Sequence, residues 1–396
     1  MAISEYCTPT HVYFGKDAEL EVGKVLNNYG SKKVLIHYGS GSVVKSGLLE
    51  RVENTLKENN IQYVELGGAQ PNPRLSLVRK GIELGRNEKV DFVLAVGGGS
   101  ALDSAKAIAL GIVNNCDVWD IYTHKTEPDN IVPFGVVLTL SATGSEMSNS
   151  SVITNDEKTP YDKTGLNSEL IRCDFAFMNP ELTYTVSKYQ TGSGSVDIIM
   201  HTLERFFHEG YALSLTDMYC ATLIKSVIKN AKIALRRPNN YDARANLMWA
   251  GSVSHNDFNH FGSPNRGDWA CHRMEHELSA LYDVAHGAGL AAIWASWARY
   301  VAHNDYKRFA WLGKHVFNIK YWNKKKATKK TIAAFEKTFR KLGMPTGLHK
   351  LGLNLSDEDI RALAEKASLK GTKTLGNFQI LNTEDLYNIY SAANKH

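Results

Sequence analysis

VDFVLAVGGGSALDSAKAIA, residues 90–109, changes hydrophobic pattern across three glycines. VDFVLAV (90–96) is an apolar, β-branched run that reads as a strand, and ALDSAKAIALGIV reads as the helix that follows. Between them stand Gly97, Gly98, Gly99 and Ser100. A tight strand-to-helix turn needs only one glycine. Three let the backbone come close to a pyrophosphate, and the first amides of the helix point at it. The loop is not GxGxxG, so the reading rests on its place after a strand rather than on the usual dinucleotide fingerprint.

Working outward, KKVLIHY (32–38) reads as a strand and SGLLERVENTLKENN as a helix. IQYVEL and RLSLVRKGIELGRNE repeat the alternation, and IVPFGVVLTL (131–140) is a further strand. Strands and helices at this spacing build βαβ units on a parallel sheet with helices on both faces. TLSATGSE (139–146) also follows a strand and offers Thr139, Ser141, Thr143 and Ser145 on the same rim as the glycine loop. Past residue 186 only helical periods appear, as in GSVDIIMHTLERFF and WACHRMEHELSALY. The expected organisation is an α/β dinucleotide-binding domain over 1–186 and an all-helical domain over 187–396.

The first strand runs into Tyr38, Gly39, Ser40, Gly41 and Ser42, with Lys45 close behind. NAD-specific enzymes usually place a carboxylate near this position to chelate the adenosine ribose hydroxyls. Hydroxyls, backbone donors and a lysine suit a 2′-phosphate instead, which points to NADP(H).

Composition bounds the class. The chain has 396 residues, 43% hydrophobic and 22% charged, with a net charge of +5, as in an ordinary globular protein of two domains. No basic stretch followed by an apolar one marks a signal peptide, and no apolar run spans a bilayer. Five scattered cysteines without a CxxC pair argue against a disulfide framework or thiolate zinc site and suit a reducing, cytoplasmic setting. The densest positive cluster, NKKKATKKT (323–331), reads as a solvated helix start, since no nucleic-acid module accompanies it.

Histidines are unevenly placed. Seven of the 14 lie between His201 and His286. Asp197 and His201 are four apart, as are His272 and His276, so each pair shares a helix face. His286 sits in AHGAGL, where small neighbours permit close approach. A carboxylate with several neutral imidazoles is a borderline-hard donor set suited to Fe(II) or Zn(II).

With these residues in view, the sequence resembles the iron-containing (group III) alcohol dehydrogenases, nearest to the NADP(H)-dependent butanol dehydrogenase branch. The motifs VYFGKDAEL, YGSGSVVKSG, GAQPNPR, VGGGSALDSAKAIA, TLSATGSEMS, NPELTYTV, DIIMH, CHRMEHELSA, HGAGLA and FRKLGMP carry it along nearly the whole chain. The resemblance implies a dehydroquinate synthase-like, two-domain fold and hydride transfer between NADP(H) and a short-to-medium chain alcohol or aldehyde. It implies metal ligands at Asp197, His201, His272 and His286, and a proton-relay role for His276. Dinucleotide contacts would fall on Asn72, Gly98, Gly99, Ser100, Asp103, Thr139, Ser141, Ser145 and Lys163, beside Gly39, Ser40 and Ser42 of the first loop. A homodimer acting on small molecules, without nucleic acid or membrane partners, is expected. TLSATGSE in place of the commoner TTAGTGSE, and Asn179 in place of aspartate, depart from the family pattern. Phe258, Phe261 and Trp269 are candidates to line an apolar pocket or to be core. The competing readings are a metal- and NAD-dependent sugar-phosphate cyclase and a non-enzymatic nucleotide sensor.

Overall fold

The computed structural model describes residues 4–39, 41–208, 210 and 213–395. The chain divides into two compact units, Cys7–Thr185 and Val186–His396, the second also including the first six residues. Residues 4–6 join the helical unit through Tyr6, whose ring meets Phe258 at 5.6 Å and whose hydroxyl accepts the Asn256 side-chain amide at 3.2 Å.

The Cys7–Thr185 unit contains strands β1 (His11–Phe14), β2 (Lys33–Gly39), β3 (Gln62–Ala69) and β4 (Phe92–Gly97). β5 (Phe134–Leu138), β6 (Ser150–Asn155), β7 (Asp162–Asn167) and β8 (Phe175–Met178) follow. Six of them form one parallel sheet in the order β1-β8-β5-β4-β2-β3, and β6 pairs with β7 as a separate antiparallel hairpin. β4 and β5 are buried throughout, as expected of central strands covered on both faces. Val34, Ile36, Leu94 and Val96 pack with Val22, Leu26, Val52 and Leu56 on one face. Alternation sends Val93 and Ala95 to the other, where the Leu75–Glu88 and Gly99–Val113 helices lie.

From β2 the chain turns to β3 on one side, while β4 lies on β2's other flank, with Tyr38 paired to Val96. The loops after β2 and β4 therefore diverge, opening a crevice at the carboxyl ends of the strands. β4 and β5 end together, Gly97 opposite Leu138, and the Thr139 amide donates to the Gly97 carbonyl at 2.9 Å. The two polar loops thus share one rim. Strands β1, β6, β7 and β8 have no counterpart in the sequence reading. β1 and β8 have four residues each, too few for a pattern, and β6 and β7 are largely polar.

The second unit is helical. Its core gathers Ile198, Phe206, Phe207, Trp294, Trp297, Phe309 and Phe335 from several helices. Among the described residues it holds no strand, only an isolated bridge between Leu375 and Leu381.

Lys106, on the helix after the glycine loop, is fully buried and donates to the carbonyls of Ser145 (2.8 Å), Ser148 (3.1 Å) and Ser150 (2.8 Å). It ties the loop after β5 to the helix after β4. Lys106→Met would strand three carbonyls, each costing about 1–3 kcal/mol when buried without a donor. We expect a Tm lowered by several degrees and weaker nucleotide binding, measured by calorimetry. An unchanged Tm would show that the loop holds itself.

Candidate functional site

The helix Lys188–Phe206 is buried from Thr191 to its end, so a polar side chain on it needs a partner. Asp197, His201 and Glu204 lie at successive helical spacings, on one stripe. The helices Ala270–Tyr282 and His286–Val301 pack near it and contribute His272 and His286.

Asp197 Oδ1 is the hub. It stands 3.7 Å from His201 Nδ1, 3.9 Å from His272 Nε2 and 3.7 Å from His286 Nε2. These distances are too long for hydrogen bonds and suit donors around a common centre. Donor atoms of Asp197, His272 and His286 lie within 4.8 Å of one another, with the His201 ring 4.8 Å from that of His272. Asp197 Oδ1, His201 Nδ1 and His272 Nε2 are buried without a hydrogen-bond partner among the described residues. Native proteins rarely leave such atoms unsatisfied, and a divalent cation would satisfy all three. The donor set fits a metal.

Behind these donor atoms stand two further carboxylates. Glu204, 2% exposed, accepts from His272 Nδ1 and the His272 amide, both at 3.1 Å, and from the Trp269 amide at 2.7 Å. Glu275 is likewise buried, bonding His286 Nδ1 with one oxygen and the Ser279 hydroxyl with the other. A carboxylate on Nδ1 orients the ring and leaves Nε2 as the lone-pair donor. Burial alone would push the His272 imidazole down, but Asp197 and Glu204 on either side override it and hold its pKa at about 9, so a cation bound at Nε2 would take the place of a proton. His201 goes the other way, driven down by burial and then by His255 and His272. Asp268, whose carboxylate accepts the amides of Ala270, Asn377 and Phe378, is raised to about 7 by burial and by Glu204.

Close approach is built in. A Cβ on Gly287 would lie 2.0 Å from the Ser193 carbonyl, so only glycine lets the His286 helix start against Lys188–Phe206. Trp269 adopts φ +65°, and its ring lies 5.0 Å from His272 beneath the Arg205 guanidinium at 4.6 Å. Trp269 is therefore beside the cluster. Phe258 packs on Tyr6 and Tyr219, and Phe261 on Tyr6. His276 places its ring 5.9 Å from His286.

In the other unit the predicted nucleotide residues gather at the sheet rim. Gly98 caps the Gly99–Val113 helix without a side-chain bond, leaving its first amides facing outward beside Ser100. A Cβ on Gly99 would lie 2.5 Å from Thr143, so the tight fit of two loops is what demands glycine there. Asp103 accepts from the Ser145 hydroxyl at 2.6 Å and the Val152 amide at 3.0 Å, which makes it a clamp between loop and hairpin. Ser141 Oγ is buried without a partner among the described residues. Asn72, at φ +55°, accepts Lys163 Nζ at 3.0 Å, joining two expected contacts across 91 positions of sequence. Gly39 ends β2, Ser42 is exposed, and Ser40 lies outside the described residues.

A model for iron-containing alcohol dehydrogenases matches residues 9–180, and one for the C-terminal region of the same family matches 191–394. The chain belongs to the iron-containing alcohol dehydrogenase family. It is 38% identical over 388 residues to NADH-dependent butanol dehydrogenase A of Clostridium acetobutylicum, covering 98% of both chains. It is 36% identical over 391 residues to the NADPH-dependent aldehyde reductase YqhD of Escherichia coli, again covering 98% of both. The crystal structure of NADH-dependent butanol dehydrogenase A from Thermotoga maritima superposes with a TM-score of 0.94 at 36% identity, covering 99% of each chain. The chain is thus an alcohol dehydrogenase of the iron-containing family. A nicotinamide cofactor comes with the family. The named relatives divide between NADH and NADPH, so they do not choose the cofactor for this chain.

Glu204, Glu275 and His255 were missed in the sequence reading. Glu204 is three residues after His201 and Glu275 three after His272, a spacing that keeps each on its histidine's face. His255, whose ring lies 4.2 Å from His201, carries no such local signal. Glu204→Gln should keep the fold and lower metal affinity roughly 10–100-fold, measured by chelator competition. Unchanged affinity would assign Glu204 to the Trp269 turn alone.

Proposed function

We propose that the enzyme interconverts short-to-medium chain aldehydes and alcohols, butyraldehyde and butanol among them, with NADP(H) and one Fe(II) or Zn(II). Asp197, His201, His272 and His286 would hold the ion. The observation that carries this reading is the set of buried, unpartnered donor atoms around Asp197, backed by Glu204 and Glu275. A bound ion would polarise the substrate oxygen while a bound nicotinamide supplies or accepts the hydride.

The chain's own residues do the rest. Glu204 and Glu275 keep Nδ1 of His272 and His286 engaged, so that Nε2 of each faces the centre. Trp269 walls the cluster on its apolar side. His276, four residues after His272 and with its ring 5.9 Å from that of His286, would pass the proton that accompanies hydride transfer. Thr139, Ser141, Ser145, Asn72, Lys163 and the amides after Gly98 would receive the dinucleotide, with Asp103 holding Ser145 in place. The donor set accepts iron or zinc, and metal supply decides between them. Five free cysteines suit a reducing, cytoplasmic setting. The outer edge of β1 is available for pairing with a second copy in a homodimer.

The deciding experiment is a metal-analysed activity screen of aldehydes and alcohols of increasing chain length with both cofactors. Two variants separate the histidines. His272→Ala should lose the ion and nearly all turnover while still binding NADP(H). His276→Ala should keep the ion and lose roughly 10²–10⁴-fold in turnover, with an altered pH profile. Full metal content in the first, or metal loss in the second, would reverse the two assignments.

The preference for NADP(H) rests on the end of β2. No carboxylate lies between Gly39 and Lys45, and Ser42 and Lys45 are exposed. Two charge-assisted bonds to a 2′-phosphate, each worth about 1.5–3 kcal/mol, favour NADP(H) by on the order of a hundredfold or more in kcat/KM. A Cβ on Gly39 meets only the Ala69 carbonyl at 3.4 Å, so an aspartate fits. Gly39→Asp should shift the preference towards NAD(H), measured as the ratio of kcat/KM values. Equal wild-type rates with both cofactors would remove NADP(H) from the assignment.

A further inference from the structure

The loop and helix start around Trp322 take no part in the site described above, and their chemistry is unusual. Seven consecutive residues, Lys320–Lys326, are exposed, and Trp322 is fully so, at 101% of its reference area. Tyr321 beside it is 41% exposed, with Lys326 Nζ 5.0 Å from its ring. An indole left wholly in water gains nothing for the fold. Between Asp305 and Glu336 the sequence has no acidic residue, while Lys320, Lys324, Lys325, Lys326, Lys329 and Lys330 crowd together. None of the six forms an ion pair among the described residues.

Placement sharpens the point. Lys324, Lys325 and Lys326 occupy the first turn of the Lys324–Lys341 helix, capped by Asn323, with no acidic residue in that turn. The positive end of the helix dipole disfavours cations there. The arrangement costs stability and concentrates positive potential around an exposed aromatic pair.

We propose that this surface, Tyr321 and Trp322 with the six lysines, docks the enzyme on an anionic lipid bilayer. Tryptophan and tyrosine settle at the headgroup level of a bilayer, where their amphipathic rings are half wet. Lysine clusters are drawn to anionic headgroups and keep their ammonium groups in water. The cluster contains no arginine over residues 320–330, so it lacks the planar fork that nucleic-acid readers favour. On the inner side of the same helix Ala327, Thr328, Thr331 and Ile332 are buried, so the outer residues can be changed without unpacking it. Among the described residues no helix is long and apolar enough to cross a membrane, so the contact is peripheral.

The test uses the metal-loaded full-length enzyme and co-sedimentation with vesicles of phosphatidylcholine alone or mixed with phosphatidylglycerol. Binding to the mixed vesicles only, abolished by molar salt, is the expected result. Replacing Lys324, Lys325 and Lys326 singly by glutamine should weaken binding roughly fivefold each. Trp322→Ala should weaken it at least as much, and all four variants should keep wild-type turnover in solution. Absence of binding to the mixed vesicles at low salt would overturn the proposal, as would equal binding to neutral vesicles or variants that bind like wild type. Tighter binding to a single-stranded oligonucleotide than to the mixed vesicles would overturn it in favour of nucleic acid.

Discussion

A carboxylate and two imidazoles with unpartnered donor atoms, deep in a helical unit, set the terms for the structure around them. Burying Asp197 Oδ1, His201 Nδ1 and His272 Nε2 without a hydrogen-bond partner among the described residues is unfavourable by about 1–3 kcal/mol each. Other groups could have been brought in to satisfy them. Instead Glu204 and Glu275 bind the far sides of His272 and His286, turning the open sides inward. Gly287 permits the helix approach that this needs, and Trp269 accepts a left-handed backbone so that its amide reaches Glu204. Local strain and buried charge are concentrated where a cation of two charges would relieve them.

The α/β unit solves a different problem by a similar route. A dinucleotide needs exposed backbone amides on a firm frame, and loops without side-chain caps are not firm by themselves. Lys106 and Asp103, both on the helix after the glycine loop, hold the loop after β5 from below by charge-assisted bonds. The frame is held by two buried side chains whose hydrogen bonds go to carbonyls, a hydroxyl and an amide of the neighbouring loop and hairpin. At the rim itself Ser141 Oγ has no partner among the described residues, and the helix after Gly98 has no side-chain cap.

Relatives of nearly equal similarity are named for different nicotinamide cofactors, so cofactor choice is a local property that overall likeness does not transmit. It depends on a few residues at the end of β2, where one carboxylate changes the sign of the field at a 2′-phosphate. The proposed metal site, by contrast, draws its donor residues from three helices at once.

The sequence alone carried the sheet alternation, the glycine loop, the passage to helices near residue 186, and the Asp–His and His–His spacings. Each is a local pattern, governed by a period of two or of about 3.6 residues. The family's motifs added an expected ligand set by position. Tertiary structure decided what no period encodes. It set the strand order that puts the β2 and β4 loops side by side at a switch point, and the hairpin β6–β7 whose polar strands look like loop. It paired Asn72 with Lys163, and Lys106 with carbonyls some forty residues away. It also separated Trp269, which stands beside the Asp–His cluster, from Phe258 and Phe261, which pack on Tyr6. Glu204 and Glu275 belong between these classes. Their spacing from the histidines is local, but only the crossing of three helices makes their carboxylates the partners of His272 and His286, because burial forces every charge there to find another.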